Sequence, residues 1–260
     1  MWRYYRLNGR HDLPWRKNHD SYRVLVSEVM LQQTQVERVT PLYKNFLKKF
    51  PTARMLAKAP LPDVLRSWQG LGYNRRAKML HEAAKKSVMN YGGEFPKSVK
   101  ELESFPCIGP YTARAVATFA YNQDVIMIET NIRTAVIHNF FPRKKKVSDR
   151  EIEKILIQTL PKGKSREWYS ALMDYGAYLK RSGISYNAQS RHYVTQSKFV
   201  GSLREVRGAI LRELVKGSYT EAHLAGLFDT DRILQIRQAL IALSTEGLIQ
   251  KRGKAFALSR

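Results

Sequence analysis

The sequence predicts an all-α protein that ends in a winged-helix-like domain. Helical periodicity dominates the chain up to about residue 200, and no alternating strand pattern longer than a few residues occurs there. After that point, three helical segments are followed by a short basic hairpin, which is typical of a winged helix-turn-helix. We therefore expect helical lobes over 1–181, a polar linker over 182–202 and a winged-helix-like domain over 203–260.

The predicted helices follow from apolar spacing and from proline or glycine at their ends. Pro51 ends the second helix, and Gly92 with Gly93 stops the longest one. In the first part, helices are predicted over 22–36, 37–50, 62–68, 75–91, 98–105, 110–119, 131–141, 149–160 and 167–181. In the last part, helices are predicted over 203–216, 220–228 and 231–247, and a hairpin over 248–258 with Gly253 in its turn.

The charge of the chain points to a polyanionic partner. There are 45 Lys and Arg against 22 Asp and Glu in 260 residues, a net charge of +23, and 11% of the residues are aromatic. A globular chain this basic favours nucleic acid binding over a merely solubilising charge. Residues 1–202 carry +19 and residues 203–260 carry +4, so most of the phosphate-neutralising surface is expected in the first part.

Cysteine usage and hydropathy exclude several classes of protein. Cys107 is the single cysteine, so neither an intrachain disulfide framework nor a four-cysteine zinc or iron–sulfur site can form within the chain. No apolar run approaches the roughly 20 residues needed to span a bilayer, and the first residues lack the apolar core of a signal peptide. We expect a cytoplasmic, nucleoid-associated location of the bacterial or archaeal type.

The segment 27–36 places a carboxylate inside an apolar run that begins at Val24. Glu28 is followed closely by Gln32, Gln33 and Thr34. A carboxylate is costly to bury unless it has a partner or a task, and closely spaced amides can hydrogen-bond to bases or fill the gap that a base leaves. The segment therefore favours chemistry on a nucleobase over a purely structural helix.

A second signature spans residues 102–113, where a helix, a turn closed by Gly109 and a new helix follow one another. The start of a helix presents free N–H groups and a positive dipole end, which suit a phosphate oxygen. An ordinary helix–turn–helix corner is the alternative, and this segment alone favours DNA binding only slightly.

A second carboxylate, Glu129, follows the apolar run 125–128 and stands just before a predicted helix. It could simply cap that helix, since acidic residues favour helix starts. Two carboxylates are also the usual pair of catalytic residues in enzymes that cleave a glycosidic bond. One protonates the leaving group, and the other stabilises the cationic sugar or activates water. Both interpretations of Glu129 stay open at this point.

These motifs resemble those of the helix-hairpin-helix DNA glycosylases, and most closely those of the MutY-type adenine DNA glycosylases. The similarity runs from about residue 13 to about residue 177, and its most specific points are the segments 27–36, 68–73, 75–81, 105–112 and 129–131. The resemblance implies two helical lobes with DNA bound across a cleft and the target nucleotide flipped into it. It also implies a role in base excision repair.

The resemblance assigns catalytic roles to four side chains. Glu28 would protonate the departing purine, and its apolar surroundings would keep it protonated. Glu129 would stabilise an oxocarbenium-like sugar, and Asn131 matches an asparagine beside the catalytic acid. Tyr111 occupies the position at which glycosylase/lyases carry a Schiff-base lysine, so a monofunctional glycosylase without lyase activity is implied.

The resemblance also assigns residues to the DNA and to the base pocket. Gln33 and Tyr73 would fill the duplex beside the flipped base. Trp15 and Arg16 match an entrance motif near the adenine pocket, where Ser170 replaces a Gln or Glu that contacts adenine. The remaining candidates for DNA contact are Gln32, Thr34, Ile108, Gly109, Thr112 and Arg76.

Several departures from the family pattern bear on function. Glu129 is one methylene longer than the usual aspartate, and misplacement on that scale can be costly in rate. Cys107 replaces the first glycine of the hairpin, and Asn74 replaces a second tyrosine, as in the endonuclease III branch. The iron–sulfur cysteines are absent after Ala177, so we expect a clusterless member in which side-chain packing replaces the metal. A winged-helix-like domain stands where the family has its 8-oxoguanine-reading domain.

We expect a monomeric, monofunctional glycosylase that acts on double-stranded DNA with a mismatched or damaged base, adenine being favoured. No cofactor is expected other than a monovalent cation that the hairpin could bind. Two alternatives stay open. The first is a thymine or uracil glycosylase that acts at G mismatches, since Tyr111 and the segment 172–175 also resemble the mismatch thymine glycosylases. The second is a DNA-damage-binding protein that has lost turnover. A winged-helix transcription regulator would explain only residues 203–260.

Overall fold

The computed structural model describes residues 1–184, 198–229 and 232–259. These residues are predominantly helical and form one small three-stranded sheet, which confirms the predicted fold class. None of their helices combines the length and the apolar character needed to cross a membrane. The helices are α1 Trp2–Asn8, α2 Ser21–Leu31, α3 Val36–Lys49, α4 Ala53–Lys58, α5 Leu61–Ser67, α6 Arg75–Tyr91, α7 Val99–Glu103, α8 Pro110–Tyr121, α9 Thr130–Phe140, α10 Asp149–Thr159, α11 Ser165–Arg181, α12 Leu203–Leu214, α13 Glu221–Ala225 and α14 Ile233–Thr245, with a 3₁₀ turn over Pro14–Arg16.

The described residues fall into two compact units that are interleaved along the chain. The first unit contains residues 1–28 and 95–184, and the second contains residues 29–94, 198–229 and 232–259. This division by contacts does not test the sequence-based boundaries at 181 and 203, which stay predictions. The predicted linker, 182–202, falls mostly on residues 185–197, which lie outside the described residues.

The core of the first unit forms where helices α8 to α11 meet. Ile132, Val136 and Tyr169 are almost fully buried in it. The Tyr169 hydroxyl donates to Val125 O at 3.0 Å and accepts from Met127 N at 3.2 Å, so it fixes the extended run that leads into α9. That run sets the position of Glu129, the residue that precedes α9.

Helices α9 and α11 approach so closely that one position must be glycine. A Cβ atom built on Gly176 would lie 2.0 Å from the backbone oxygen of Asn131, a separation that no real contact tolerates. The neighbour is backbone rather than a flexible side chain, so it cannot move aside without shifting the first turn of α9. Gly176 thus fixes the distance between α11 and the segment that carries Asn131.

The second unit contains the long helix α6 and the winged-helix-like part of the chain. Helix α6 covers the predicted range, and Gly92 stops it in the left-handed conformation with φ of 65°. The strands β1 Tyr219–Thr220, β2 Ile249–Arg252 and β3 Ala255–Leu258 form an antiparallel sheet in the order β1-β3-β2. Helices α12, α13 and α14 with this sheet confirm the winged-helix-like pattern, and β1 is a strand that the sequence did not predict.

The helix predicted over 22–36 is wrong at its C-terminal end. Helix α2 ends at Leu31, and Gln33 adopts a left-handed backbone with φ of 53° before α3 begins at Val36. Polar side chains that compete for backbone groups favour such a break. Helices α1 and α4 were not predicted, because segments of seven and six residues show too little periodicity.

We expect Gly176→Ala to destabilise the protein by about 1–3 kcal/mol, because the new methyl group overlaps the backbone of Asn131. Gly208→Ala is the matched control, since Gly208 lies within α12 and a Cβ there meets no atom within 4 Å. That control should be neutral or stabilising by about 0.5–1 kcal/mol, because alanine favours helix over glycine. Urea denaturation measures the free energy of unfolding of both variants. An equal change in the two would contradict the close approach of Gly176 to the backbone of Asn131.

Candidate active site

The first unit brings the predicted acid Glu28 against Tyr111. Glu28 lies in α2 with 9% of its surface exposed, and the Tyr111 hydroxyl donates a hydrogen bond to its carboxylate. The pKa of Glu28 is raised to about 7: burial raises it most, the Tyr111 hydrogen bond lowers it, and the charge of Glu129 raises it. A carboxyl group with this pKa is substantially protonated at neutral pH, as a general acid must be.

Tyr111, the second residue of α8, keeps its proton throughout the neutral range. Burial raises the pKa of its phenol well above 10, and the charges of Glu28 and Glu129 add to that effect. A phenol so far from ionisation acts as a hydrogen-bond donor rather than as a nucleophile. The structure therefore gives Tyr111 a concrete task, which is to hold the carboxyl group of Glu28.

Glu129 serves as the N-cap of α9. Its Oε1 atom accepts from the backbone N–H groups of Asn131 and Ile132 at 2.8 Å each, and its Oε2 atom accepts from Asn131 Nδ2 at 3.2 Å. The pKa of Glu129 is raised overall, because burial outweighs the lowering by the two backbone hydrogen bonds and by the charges of Lys180 and Arg133. The capping interpretation is thus confirmed, and the charge of Glu129 also raises the pKa of the predicted acid Glu28.

The pocket residues predicted near the base have different environments. Ser170 is buried with 3% of its surface exposed, and Trp15 is half-buried. Arg16 forms a bidentate ion pair with Asp174, with Nη1 to Oδ2 at 2.6 Å and Nη2 to Oδ1 at 2.8 Å. Both terminal nitrogens of the Arg16 guanidinium therefore bind a protein carboxylate. This contact indicates that Arg16 orders the entrance motif, and a direct contact of Arg16 with a base is not needed for that role.

Asp174 and Arg10 are the residues around this motif that sequence reasoning missed. Arg10 donates to both oxygens of Asp174 through Nε at 2.6 Å and its backbone N–H at 2.8 Å, and Asp174 is only 2% exposed. Burial alone would raise the pKa of Asp174, but the hydrogen bond and charge of Arg16, with Arg10, lower it overall. A single aspartate in the apolar pattern of α11 is the signal that could have indicated this network.

The hairpin between α7 and α8 exposes less than the sequence suggested. The side chains of Ile108 and Thr112 are both 4% exposed, so a direct contact from these side chains to DNA is disfavoured. Gly109 is exposed and forms the N-cap of α8. Cys107 takes a left-handed backbone with φ of 61°, a conformation that glycine adopts more readily than other residues.

The two residues predicted to fill the duplex share one unusual property. Gln33 and Tyr73, in the second unit, both have left-handed backbones, with φ of 53° and 46°, and both side chains are exposed. Non-glycine residues rarely adopt this conformation, and it persists only where the surroundings enforce it. Gln32 and Thr34 beside them are half-buried.

Arg76 supports that conformation through contacts within the protein, and its role as a direct DNA contact stays a prediction. Its Nη1 atom donates to Val29 O and Gln32 O at 2.6 Å, and its Nη2 atom donates to Leu71 O at 3.1 Å and Gly72 O at 3.2 Å. Burial lowers the pKa of Arg76 to about 10. The guanidinium is thus directed inward, and it positions the two turns that carry the exposed side chains.

The donor set for the iron–sulfur cluster implied by the resemblance does not fit this chain. The cluster type requires four thiolates, and the sequence holds Cys107 alone. Among the described residues, no group of three or more His, Cys, Asp or Glu side chains could hold a metal ion. Aromatic side chains pack between α1 and α11, with the Tyr4 ring centroid 5.2 Å from that of Tyr175 and 5.6 Å from that of Tyr178.

Residues 26–162 match the family described as HhH-GPD superfamily base excision DNA repair protein. The chain belongs to this superfamily. An adenine DNA glycosylase of Mycolicibacterium smegmatis is 34% identical over 265 residues, which cover 94% of this chain and 89% of the relative. The predicted family and the predicted DNA glycosylase class are confirmed by these matches.

Solved structures of superfamily members resemble the fold of this one. A thermostable thymine-DNA glycosylase has a TM-score of 0.56 and 28% identity over 65% of this chain and 79% of that chain. A trapped endonuclease III–DNA covalent intermediate has a TM-score of 0.54 and 22% identity over 61% of this chain and 75% of that chain, and this second likeness concerns the fold alone.

We expect Asp174→Asn to destabilise the protein by about 3–5 kcal/mol, because it leaves two arginines next to a buried neutral amide. The lowered pKa of Asp174 means that its stabilisation is present above the ordinary value of 3.8 and is lost as pH falls through the lowered value. Chemical denaturation at several pH values measures this.

The control for that prediction is Glu103→Gln, which removes an exposed ion pair to Arg114 at 3.2 Å. It should cost less than about 1 kcal/mol. Equal losses in the two variants would contradict a special role for the buried pair.

Proposed function

We propose that this superfamily member is a monofunctional DNA glycosylase that removes adenine from mispairs in duplex DNA. The observation that carries the proposal is the buried Glu28, whose pKa of about 7 and hydrogen bond from Tyr111 suit a proton donor at neutral pH. The chain is 34% identical to an adenine DNA glycosylase over 94% of its length, and this similarity supports the choice of adenine.

The proposed reaction breaks one bond and forms one. Glu28 delivers its proton to a ring nitrogen of the flipped base, the glycosidic bond breaks, and its electron pair leaves with the base. Glu129 stabilises the cationic sugar that remains, while staying hydrogen-bonded to the first turn of α9. Water then attacks the sugar carbon and returns a proton to Glu28, so the enzyme is restored. Tyr111 cannot form an imine, and no strand cleavage follows.

The extra methylene of Glu129 is compatible with this scheme. The longer side chain folds back from the N-cap position so that Oε1 reaches two backbone N–H groups at 2.8 Å. The carboxylate is thus held in one orientation by the helix start, which limits the freedom that an additional rotatable bond would otherwise bring.

A thymine or uracil glycosylase acting opposite guanine is the second candidate. The likeness to a thermostable thymine-DNA glycosylase at 28% identity favours it, and the buried Ser170 lacks the longer amide or acid expected for adenine. A pyrimidine leaves as an anion, so it gains less from protonation by Glu28 than a purine does. Duplex DNA is the partner in both cases; monomeric state, cytoplasmic location and a hairpin cation stay predictions.

A panel of duplexes carrying A, T, U, hypoxanthine or 8-oxoguanine in each pairing tests the proposal. After incubation, alkali cleaves the abasic sites, and we expect the strongest signal from adenine mispairs. Glu28→Gln should lower base release by at least about 100-fold, the usual contribution of a general acid, and leave duplex binding nearly intact. The control Glu153→Gln changes an exposed glutamate of α10 and should retain full activity.

Two results would contradict this proposal. Full turnover in Glu28→Gln would remove the acid assignment. Borohydride trapping of the unmodified protein on DNA would show an imine intermediate and refute the monofunctional scheme.

The pH profile of base release provides a separate prediction. Activity should fall as pH rises through about 7, because Glu28 then loses the proton that it donates. Tyr111→Phe removes a hydrogen bond that lowers the pKa of Glu28, so this decline should move to higher pH. Tyr121→Phe is the control, since that hydroxyl, also on α8, donates to Phe95 O. A decline at unchanged or lower pH in Tyr111→Phe would contradict the assignment.

A further inference from the structure

The winged-helix-like part contacts the proposed duplex-filling residue directly. Arg204, in the first turn of α12, donates from Nη1 to the hydroxyl of Tyr73 at 2.8 Å. The same guanidinium lies 5.9 Å from the centroid of the Tyr73 ring. The two residues are 131 positions apart in sequence and belong to one compact unit.

Tyr73 is therefore held by two guanidinium groups. Arg76 lies 5.5 Å from the same ring centroid and fixes the turn that carries Tyr73 through its carbonyl contacts. The ring itself is 38% exposed on a left-handed backbone, so without a lateral partner it would sample several rotamers. Arg204 supplies that partner through both the hydroxyl and the ring face.

The position of Arg204 is fixed by other contacts in the same unit. Lys78 on α6 donates to the backbone oxygen of Glu246 at 2.8 Å, and Arg207 on α12 pairs with the carboxylate of Glu246 at 2.5 Å. These two contacts join α6, α12 and the end of α14. Helix α12 is consequently tied to the helix that begins two residues after Tyr73, and Arg204 is presented to the ring at a defined place.

We propose that Arg204 is a positioning residue that orients Tyr73 for insertion into duplex DNA. The winged-helix-like part then assists base flipping through the glycosylase turn at 71–73 instead of by reading DNA sequence on its own. The proposal rests on the proposed function, because the orientation of Tyr73 matters only if the protein opens the duplex. Pre-ordering an exposed side chain removes part of the entropy cost of binding. We expect this to strengthen duplex binding by about three- to tenfold.

A double-mutant cycle tests this inference with Tyr73→Phe, Arg204→Met and the double variant. Single-turnover base release, duplex binding and the fluorescence of a 2-aminopurine beside the mispair are measured for each. We expect Arg204→Met to weaken binding and unstacking by about three- to tenfold. Tyr73→Phe should have a similar or smaller effect, and the double variant should be no worse than the poorer single one, because both changes remove one hydrogen bond.

Two further variants distinguish the orientation of Tyr73 by Arg204 from a simple effect of positive charge on DNA binding. Arg204→Lys keeps the charge but loses the planar donor fork, so it should resemble Arg204→Met. Arg212→Met removes an exposed arginine from the same helix and should leave 2-aminopurine fluorescence unchanged. Full activity in Arg204→Lys, additive losses in the cycle, or an equal loss in Arg212→Met would each overturn the inference in favour of a simple phosphate contact.

The same experiment distinguishes this inference from the proposed function. If the unmodified protein releases no base from any duplex, the proposed function fails, while the cycle on duplex binding still measures the coupling of Arg204 to Tyr73. If base release is normal and the cycle is additive, only the inference fails. Thermal midpoints of all variants are measured in parallel, and Arg204→Lys keeps the test decisive if Arg204→Met unfolds.

Discussion

The second unit depends on one guanidinium that satisfies carbonyl oxygens at the end of a helix. The last turn of an α-helix leaves carbonyl groups without partners inside the helix. At the end of α2, Arg76 supplies donors to Val29 O and Gln32 O and, from the same planar group, to the oxygens of the turn after α5. One side chain thereby joins two loops and holds Gln33 and Tyr73 in backbone conformations that neither would adopt unaided.

The first unit depends on a contrast between two acids, the buried Glu28 and the half-buried Glu129. Glu28 lies in an apolar environment whose main partner is a phenol, so its neutral form is favoured. Glu129 accepts two backbone N–H groups at a helix start, and these lower the pKa that burial raises. The pKa of both carboxyl groups is raised, and the proposed roles of proton donor and sugar-stabilising group differ in the partners that hold each one. The contrast arises from neighbours, since the two side chains are chemically identical.

The sequence predicted those features whose causes are local. The C-terminal end of α6 follows from the Gly92-Gly93 pair, and the hairpin follows from Gly253, because turn preferences are set by a few neighbouring residues. The family motif also led to Glu28, Glu129 and Tyr111. The end of α2 was missed because its break is stabilised by Arg76, more than forty residues away.

The pairing of Arg16 with Asp174 was missed for the same reason. The resemblance placed Arg16 near the base pocket without indicating its partner, and 158 residues separate the two along the chain. Periodicity describes which face of a helix is buried, and it carries no information about which distant charge meets that face. The contacts that the sequence did not predict are accordingly those that join distant segments.

The ion pairs of Asp174 also bear on the order in which the chain folds. They join residues 10 and 16 to a position more than 150 residues later, so they close a very long loop, and such contacts form late. During synthesis, the N-terminal segment is made first but waits for α11 before its arginines find their counter-charge. The intervening residues 29–94 belong to the other unit. The first unit can therefore be completed only after the chain has been synthesised as far as Asp174, because its arginines have no buried counter-charge of this kind before then.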